Sequence, residues 1–443
     1  RASQIRAIVQ EALADAKSHA DAADAPLAGY HNGFYLQSAD GNNRLVVGGY
    51  LQARYEYAYQ NATNGRSLPG RNIGSGSTRP DDPGNASGFD IRRARVSFSG
   101  NVLSRDITYK LEGDFYGGAG GTFAVSDAYL GYRLSDLIKF RAGSFKVPFA
   151  KAELTSDPTG TFAERANVLL PFDPVRSLGV SIYGDIINDE LAYELSIDDG
   201  SKANTLRQDD TVGASSNLDN RLGFYGRIQF AGSGKLSDFT DESDLRLNNR
   251  SFIWMLGGAA GYESQNDSNN AFPSPQSSTS IAGLSNGDGP GFTNATLNGD
   301  LYRATLDWSA KWRGLSFLTA AYFQQVNANP GHASSTSPTS ITTGPFGVTD
   351  AAFFQHAYYA QVGYFVLPRK LELVGRAEAL FTEGYPNIGQ YYSLGANYYF
   401  FGQNLKLQSD VTYSPEDPYT DAASLQLQNA SNLTFRVQLQ AKF

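Results

Sequence analysis

The end of the chain alternates without a break. Leu433, Phe435, Val437, Leu439, Ala441 and Phe443 take one parity, and Thr434, Arg436, Gln438, Gln440 and Lys442 take the other. A strand turns successive side chains to opposite faces, so this run commits one face to an apolar medium and the other to water. The same parity returns in Ile107, Tyr109 and Leu111 against Thr108, Lys110 and Glu112. It returns again in Leu178, Val180 and Ile182 against Ser177, Gly179 and Ser181, and in Leu405 and Leu407 against Lys406, Gln408 and Asp410.

Strand candidates of this kind follow one another through the chain. They are Val46–Tyr59, Phe89–Ser99, Ile107–Tyr116, Val125–Arg133, Ile138–Lys146, Ser177–Ile187, Leu191–Ile197 and Leu222–Phe230, then Phe252–Tyr262, Leu301–Ala310, Leu315–Val326, His356–Val366, Leu371–Phe381, Tyr391–Phe401, Leu405–Tyr413 and Leu433–Phe443. The count is about sixteen, an even number within the range of outer-membrane barrels. Connections alternate as well. Asn101–Asp106, Leu134–Leu137, Asn188–Glu190, Lys311–Gly314, Leu367–Lys370 and Gly402–Asn404 are tight, with Ala231–Ser251 the longer member of that set. Between them lie long polar connections such as Gln60–Gly88, Val147–Arg176, Asp198–Arg221, Glu263–Asp300, Asn327–Gln355 and Ser414–Asn432. A barrel that crosses a membrane has a reason for this, since its periplasmic turns are short and its outer loops long. The sequence therefore predicts an all-β fold, a 16-stranded antiparallel transmembrane β-barrel over residues 46–443, in a Gram-negative-type outer membrane with both termini periplasmic.

Composition excludes other classes. The chain has no Cys, one Met and four His, so disulfides and Cys-based metal or redox sites are ruled out and no catalytic constellation stands out. A faint hydrolase candidate, His356 at a strand end, does not outweigh the reading that this is no enzyme. No apolar run approaches the ~18–20 residues of a spanning helix. A net charge of −8 argues against nucleic acid. The first residue is Arg1, which suggests a removed targeting segment.

Two segments precede the barrel. Residues 1–25 are Ala-rich and free of Gly and Pro, and predict a helix with Ile5, Ile8, Ala12, Ala16 and Ala20 near one face. That helix either closes a trimeric coiled coil or lies alone, and it offers a route to periplasmic cell-wall contact. Residues 26–45 read as a linker with a small hairpin turning at Asp40-Gly41-Asn42-Asn43.

One connection departs from the rest. Residues 147–176 hold Pro148, Pro158, Pro171 and Pro174, which cannot donate to a ladder, yet also Phe149, Phe162, Val168, Leu169 and Phe172 to pack with. A long loop that packs is usually functional, and this one is expected to fold inward as the constriction. The parity places Arg93, Arg95, Lys110, Arg133, Lys139, Arg141, Arg227, Arg303, Arg376, Arg436 and Lys442 inward, against Glu112, Asp114, Asp127, Asp307, Glu372, Glu378 and Asp410. Rings of Arg and Lys in a narrow lumen favour anions; paired across strands, they stiffen the wall instead. Arg92, Arg93 and Arg95 tip the balance to anions, because three guanidiniums in four positions are costly to neutralise together. Parity breaks in that cluster, which predicts a bulge near Arg92 that turns both Arg92 and Arg93 inward. Asp198-Asp199 and similar loop pairs are candidates for Ca2+, though solvated turns are the commoner outcome.

The motifs R-R-A-R-V-S-F-S-G, D-I-T-Y-K-L-E-G-D-F, V-S-D-A-Y-L-G-Y, F-R-A-G-S-F-K-V-P-F, F-A-E-R-A and R-S-L-G-V, dense from Phe89 to Gly184, resemble the phosphate-selective porin O and P family of Gram-negative outer membranes. The resemblance implies a homotrimer of 16-stranded barrels in lipid and lipopolysaccharide, each with its third outer loop folded inward. It carries over lumenal residues at Arg92, Arg93, Asp127, Arg141 and Arg165, with Lys146, Lys151 and Arg176 in or beside the loop. Where phosphate selectors place Lys in the loop, this chain has Glu153 and Pro158, and where they carry Arg in the first strand it has Tyr50. The expected function is passive diffusion of small hydrophilic solutes and ions with a mild anion preference and no cofactor. A specific phosphate or polyphosphate channel, or an envelope-tethering barrel, stands as the alternative.

Overall fold

The computed structural model of the chain describes residues 27–30, 33–61, 84–116, 122–200, 222–246, 251–271, 296–328, 352–383, 388–415 and 431–443. The helix expected over residues 1–25 and its coiled coil lie outside them.

Two short strands come first, β1 (Ala28–Tyr30) and β2 (Phe34–Gln37). The barrel follows as β3 (Arg44–Asn61), β4 (Gly84–Val102), β5 (Ser104–Tyr116), β6 (Thr122–Arg133), β7 (Lys139–Lys146), β8 (Arg176–Ile187), β9 (Leu191–Asp198) and β10 (Gly223–Ser233). It is completed by β11 (Ile253–Ala271), β12 (Thr296–Trp312), β13 (Leu315–Ala328), β14 (Ala352–Leu367), β15 (Leu371–Thr382), β16 (Gly389–Tyr399), β17 (Leu405–Ser414) and β18 (Ser431–Lys442). Each strand pairs antiparallel with the next, and β18 closes on β3 from Ser431 opposite Asn61 to Lys442 opposite Tyr50. Closure leaves the barrel no open edge, which a lipid environment demands because no water there can satisfy exposed backbone groups. Arg176, expected at the end of the inward loop, is instead the first residue of β8.

The alternation does what the sequence requires of it. Leu111, Leu130, Val180, Leu195, Ile228, Leu306 and Leu394 stand exposed on the outer face, while Gln52, Asp127, Arg227, Gln324, Gln408 and Gln438 are buried within. His356 belongs to the outer set, stacked on Phe381 at 4.6 Å, so it faces away from any lumenal site. The bulge falls at Arg92: Gln52 pairs with Arg93 and Ala53 with Ile91, which leaves Arg92 as the extra residue.

The tight turns share one end of the barrel. Between β12 and β13, Trp312 pairs with Leu315 and the two loop residues Arg313 and Gly314 take φ of 50° and 83°, the mirror-image turn whose twist matches the flanking strands. β2 pairs with the base of β3 at this end, through the turn at residues 38–43. Asp40 accepts there from the Asn42 backbone N–H at 2.9 Å.

Candidate functional site: a loop docked inside the barrel

Between β7 and β8 the chain turns into the lumen. Its only α-helical turn is α1 (Lys151–Leu154), and its prolines keep the remainder from adding to the sheet. What holds it is apolar surface on the inside of the barrel. Leu318, Ala320 and Tyr322 of β13, Ala357 and Tyr359 of β14 and Leu380 of β15 point inward and would meet water if uncovered. Val147, Phe149, Val168, Leu169 and Phe172 cover them, with Phe172 stacked on Tyr322 at 5.7 Å and Phe149 edge-on to Tyr225 at 6.0 Å. Each such side chain contributes roughly 1.5–3 kcal/mol by burial.

Inward polar side chains then satisfy the backbone of the loop, which has no ladder of its own. Lys406 donates to the Gly160 carbonyl at 2.7 Å, Asn397 to that of Thr161 at 2.7 Å, Gln440 to that of Pro158 at 3.0 Å and Arg227 to that of Phe149 at 2.7 Å. The Val168 N–H donates to Glu378 at 3.1 Å.

The charges form a closed circuit. Lys110 Nζ lies 2.6 Å from Asp127, whose other oxygen lies 2.6 Å from Arg176 Nε. Arg176 reaches Glu153 at 3.5 Å, Glu153 reaches Arg165 at 2.9 Å, and Arg165 reaches Asp157 at 2.7 Å. From Asp157 the path continues to Arg95 at 3.2 Å, to Glu112 at 3.3 Å and back to Lys110 at 3.1 Å. Cation and anion alternate around it, joining the wall of β4, β5, β6 and β8 to the loop. Tyr50, which stands where phosphate selectors carry Arg, donates to Asp157 at 2.8 Å.

Beside this circuit, Glu164 sits among three guanidiniums, at 2.6 Å from Arg54, 2.5 Å from Arg92 and 3.2 Å from Arg93. Burial alone would raise the Asp157 and Glu164 carboxyls. Arg165, Arg93 and Arg95 around Asp157, and Arg92, Arg93 and Arg54 around Glu164, outweigh burial and hold both well below the usual carboxylate range. The expectation that Arg92, Arg93 and Arg95 would stay uncompensated is therefore not met. The loop brings the missing anions, and no inspection of β4 alone reveals them.

The other expected lumenal residues are also placed. Arg141 pairs with Glu194 and packs 4.4 Å from the Phe145 ring and 5.3 Å from that of Tyr183. Lys146 donates to the Glu153 carbonyl at 2.5 Å. Lys151 turns toward the β10–β11 connection: its Nζ donates to the Phe239 carbonyl at 2.9 Å, and burial pushes its ammonium down to about 8. Asp198, a candidate for Ca2+, is buried and accepts from Ser196 and the Gly200 N–H at 2.8 and 3.0 Å. Among the described residues no group of three or more His, Cys, Asp or Glu converges on a metal position. Sequence reasoning missed Glu164 and Asp157, although both carry a readable signal: Glu164 lies within F-A-E-R-A and Asp157 directly precedes Pro158.

A second segment enters from the opposite end. After β10, residues 234–246 carry a short 3-10 turn (Leu236–Phe239) and fold into the lumen. Lys311 fixes this segment by donating to the carbonyls of Asp238, Asp241 and Ser243 at 2.8, 2.6 and 3.0 Å. The segment then meets the loop. Glu242 accepts from the Thr161 N–H at 2.8 Å and from Gln361 at 3.0 Å, and Thr159 donates to the Thr240 carbonyl at 3.1 Å.

The family described as phosphate-selective porin O and P matches residues 74–233. No curated protein sequence matches the chain. An anion-selective porin from Comamonas acidovorans superposes with a TM-score of 0.53 at 10% identity, over 90% of this chain and 99% of that one. In-vitro folded OmpT, an outer membrane protein of Vibrio cholerae, superposes with a TM-score of 0.50 at 11% identity, over 90% of this chain and 98% of its own. At such identities the likeness is one of fold, a porin-type closed barrel. The family match runs through β4 to β10 and includes the inserted loop, a little over a third of the chain, and over that span the chain is similar to the phosphate-selective porin O and P family.

Proposed function

We propose that this barrel is an outer-membrane porin for passive diffusion of small hydrophilic solutes and ions, mildly anion-preferring, with the loop at residues 147–175 as its constriction. The observation that carries the reading is a closed barrel, apolar outside and polar inside, narrowed by a loop fixed to the wall through side chains of many strands. Inward cations near the loop and the anion-selective porin of similar fold support the direction of the preference. Assembly as a homotrimer in lipid and lipopolysaccharide, termini on the periplasmic side and an N-terminal helix reaching toward cell-wall material belong to the same reading.

Tight phosphate selection is disfavoured. A phosphate trap needs several cations that replace hydration together, whereas here Arg165 and Arg176 share Glu153, and Lys110 is engaged by Asp127 and Glu112. Reversal potentials across planar bilayers in a KCl gradient test the proposal. A potential on the anion side, little changed by millimolar phosphate, is expected; clear cation selectivity overturns the preference, and block by micromolar phosphate restores the specific-channel reading.

A further inference from the structure

The two inserted segments do not share the lumen evenly. Polar and ionic ties join the loop to β3, β4, β8, β17 and β18, but its apolar face and the second segment are both seated against β10 to β16: the loop covers Tyr225, Ala259, Tyr322, Tyr359 and Leu380, and the segment at 234–246 is fixed by Lys311 of β12 and by Glu372 and Tyr399 through Ser243. The inward ion pairs on that side are sealed. Arg227, Arg303 and Arg376 side chains are 1%, 0% and 4% exposed. Across the lumen, Lys110, Lys139 and Arg141 on β5 and β7 are 28%, 22% and 15% exposed.

We propose that solutes cross along an off-axis slot between the edge of the inserted loop and the wall of β5–β9, and that the β10–β11 segment is a fixed half-plug closing the other side. The inference rests on the porin reading and says where in the barrel the passage lies. Small residues stand beside the charged ones on that wall: Gly131 pairs in register with Arg141, Arg141 with Ser181 and Ser181 with Ser196, and Ser181 donates to Glu194 at 2.7 Å. The slot has a sign although its charges are paired. Lys110 and, on the loop edge, Arg165 are 28% and 25% exposed, while their partners Asp127, Glu153 and Asp157 are each no more than 6% exposed and Glu112 is 13% exposed. At Lys110 and Arg165 a passing solute meets the positive end of the pair, with a field not averaged away at a few ångströms, whereas in Lys139–Asp185 and Arg141–Glu194 the two ends are exposed to a similar degree, which keeps the preference mild.

The chain has no Cys, so one introduced thiol is the only thiol. Lys139→Cys and Arg141→Cys on one side, and Ser316→Cys and Thr305→Cys on the other, are compared in planar bilayers with a small anionic methanethiosulfonate, folding being checked by heat-modifiable migration of the barrel. Modification at Lys139 and Arg141 is expected to lower conductance about twofold and to shift the reversal potential toward cations, with no response at Ser316 or Thr305. Glu242→Ala, which removes the acceptor joining plug to loop, is expected to raise conductance. Block at Ser316 or Thr305 with no block at Lys139 and Arg141 overturns the slot while leaving a porin; unchanged conductance in Glu242→Ala overturns the plug. An unmodified barrel that conducts nothing overturns the porin reading and the slot with it.

Discussion

Glu153 lies 2.9 Å from Arg165, an ion pair made between two residues of the same inserted loop. The pair holds the loop in shape, and the second oxygen of Glu153 ties it to Arg176 at the start of β8. Glu153→Gln keeps the volume and removes the charge. Arg165 keeps Asp157 and Arg176 keeps Asp127, so the loss should be less than the ~3–5 kcal/mol of a fully broken buried pair, on the order of 1–2 kcal/mol. The urea midpoint in detergent checks stability. The reversal potential should move further to the anion side, because two cations lose a shared anion; a move toward cations contradicts the assignment.

Asp173 gives the loop a pH dependence. Burial first, and then the nearby charge of Glu153, push its carboxyl up to about 7, although it accepts from the Val175 N–H and Arg165 and Lys146 act against the rise. A carboxyl at about 7 when docked, against 3.8 when free, binds its proton more tightly in the docked loop. Docking is then least hindered below the free value, and the penalty grows as pH rises from 3.8 toward about 7 and stays constant above it. Single-channel records should show fewer loop fluctuations at pH 5 than at pH 8, with the difference absent in Asp173→Asn. A pH response retained in that variant assigns it to another group.

Arg227 and Asp307 form a sealed pair at 2.7 Å, and Arg227 also serves the Phe149 carbonyl. Arg227→Ala leaves a buried carboxylate and a buried carbonyl without partners, which costs about 3–5 kcal/mol. Replacing both residues by Leu should cost less than Arg227→Ala alone, because the uncompensated charge is gone. A double-mutant cycle on unfolding free energies reads the difference, and equal losses would mean the pair does not act as a unit.

Leu394 is 68% exposed on the outer face of β16, next to the inward Ser393, which shares a hydrogen bond with Thr412. If that face meets lipid, Leu394→Arg costs ~2–4 kcal/mol near the bilayer midplane. Unfolding from lipid vesicles measures it, and a neutral result places Leu394 outside the hydrocarbon region.

Strands, faces and the inserted loop were legible because they are written in local pattern. A period of two commits each strand to a face, the prolines of residues 147–176 keep them from the ladder, and the break of parity at Arg92 marks a bulge without reference to any partner. Membership of the lumenal cluster was partly legible too: Arg95, Lys110, Asp127, Glu153, Arg165 and Arg176 stand out by parity or by motif. Their pairing does not, because Arg95 meets Asp157 across 62 positions of chain and Glu242 meets Gln361 across 119, and charge balance depends on which groups come within a few ångströms. The sequence by itself thus determined a barrel with a lipid face, a lumen and a loop able to enter it. Only the tertiary structure decided that the loop carries the counter-charges of the wall, that a second segment rises to meet it, and that the sealed ion pairs gather on one side of the lumen, since each of these follows from contacts between segments whose separate patterns are silent about one another.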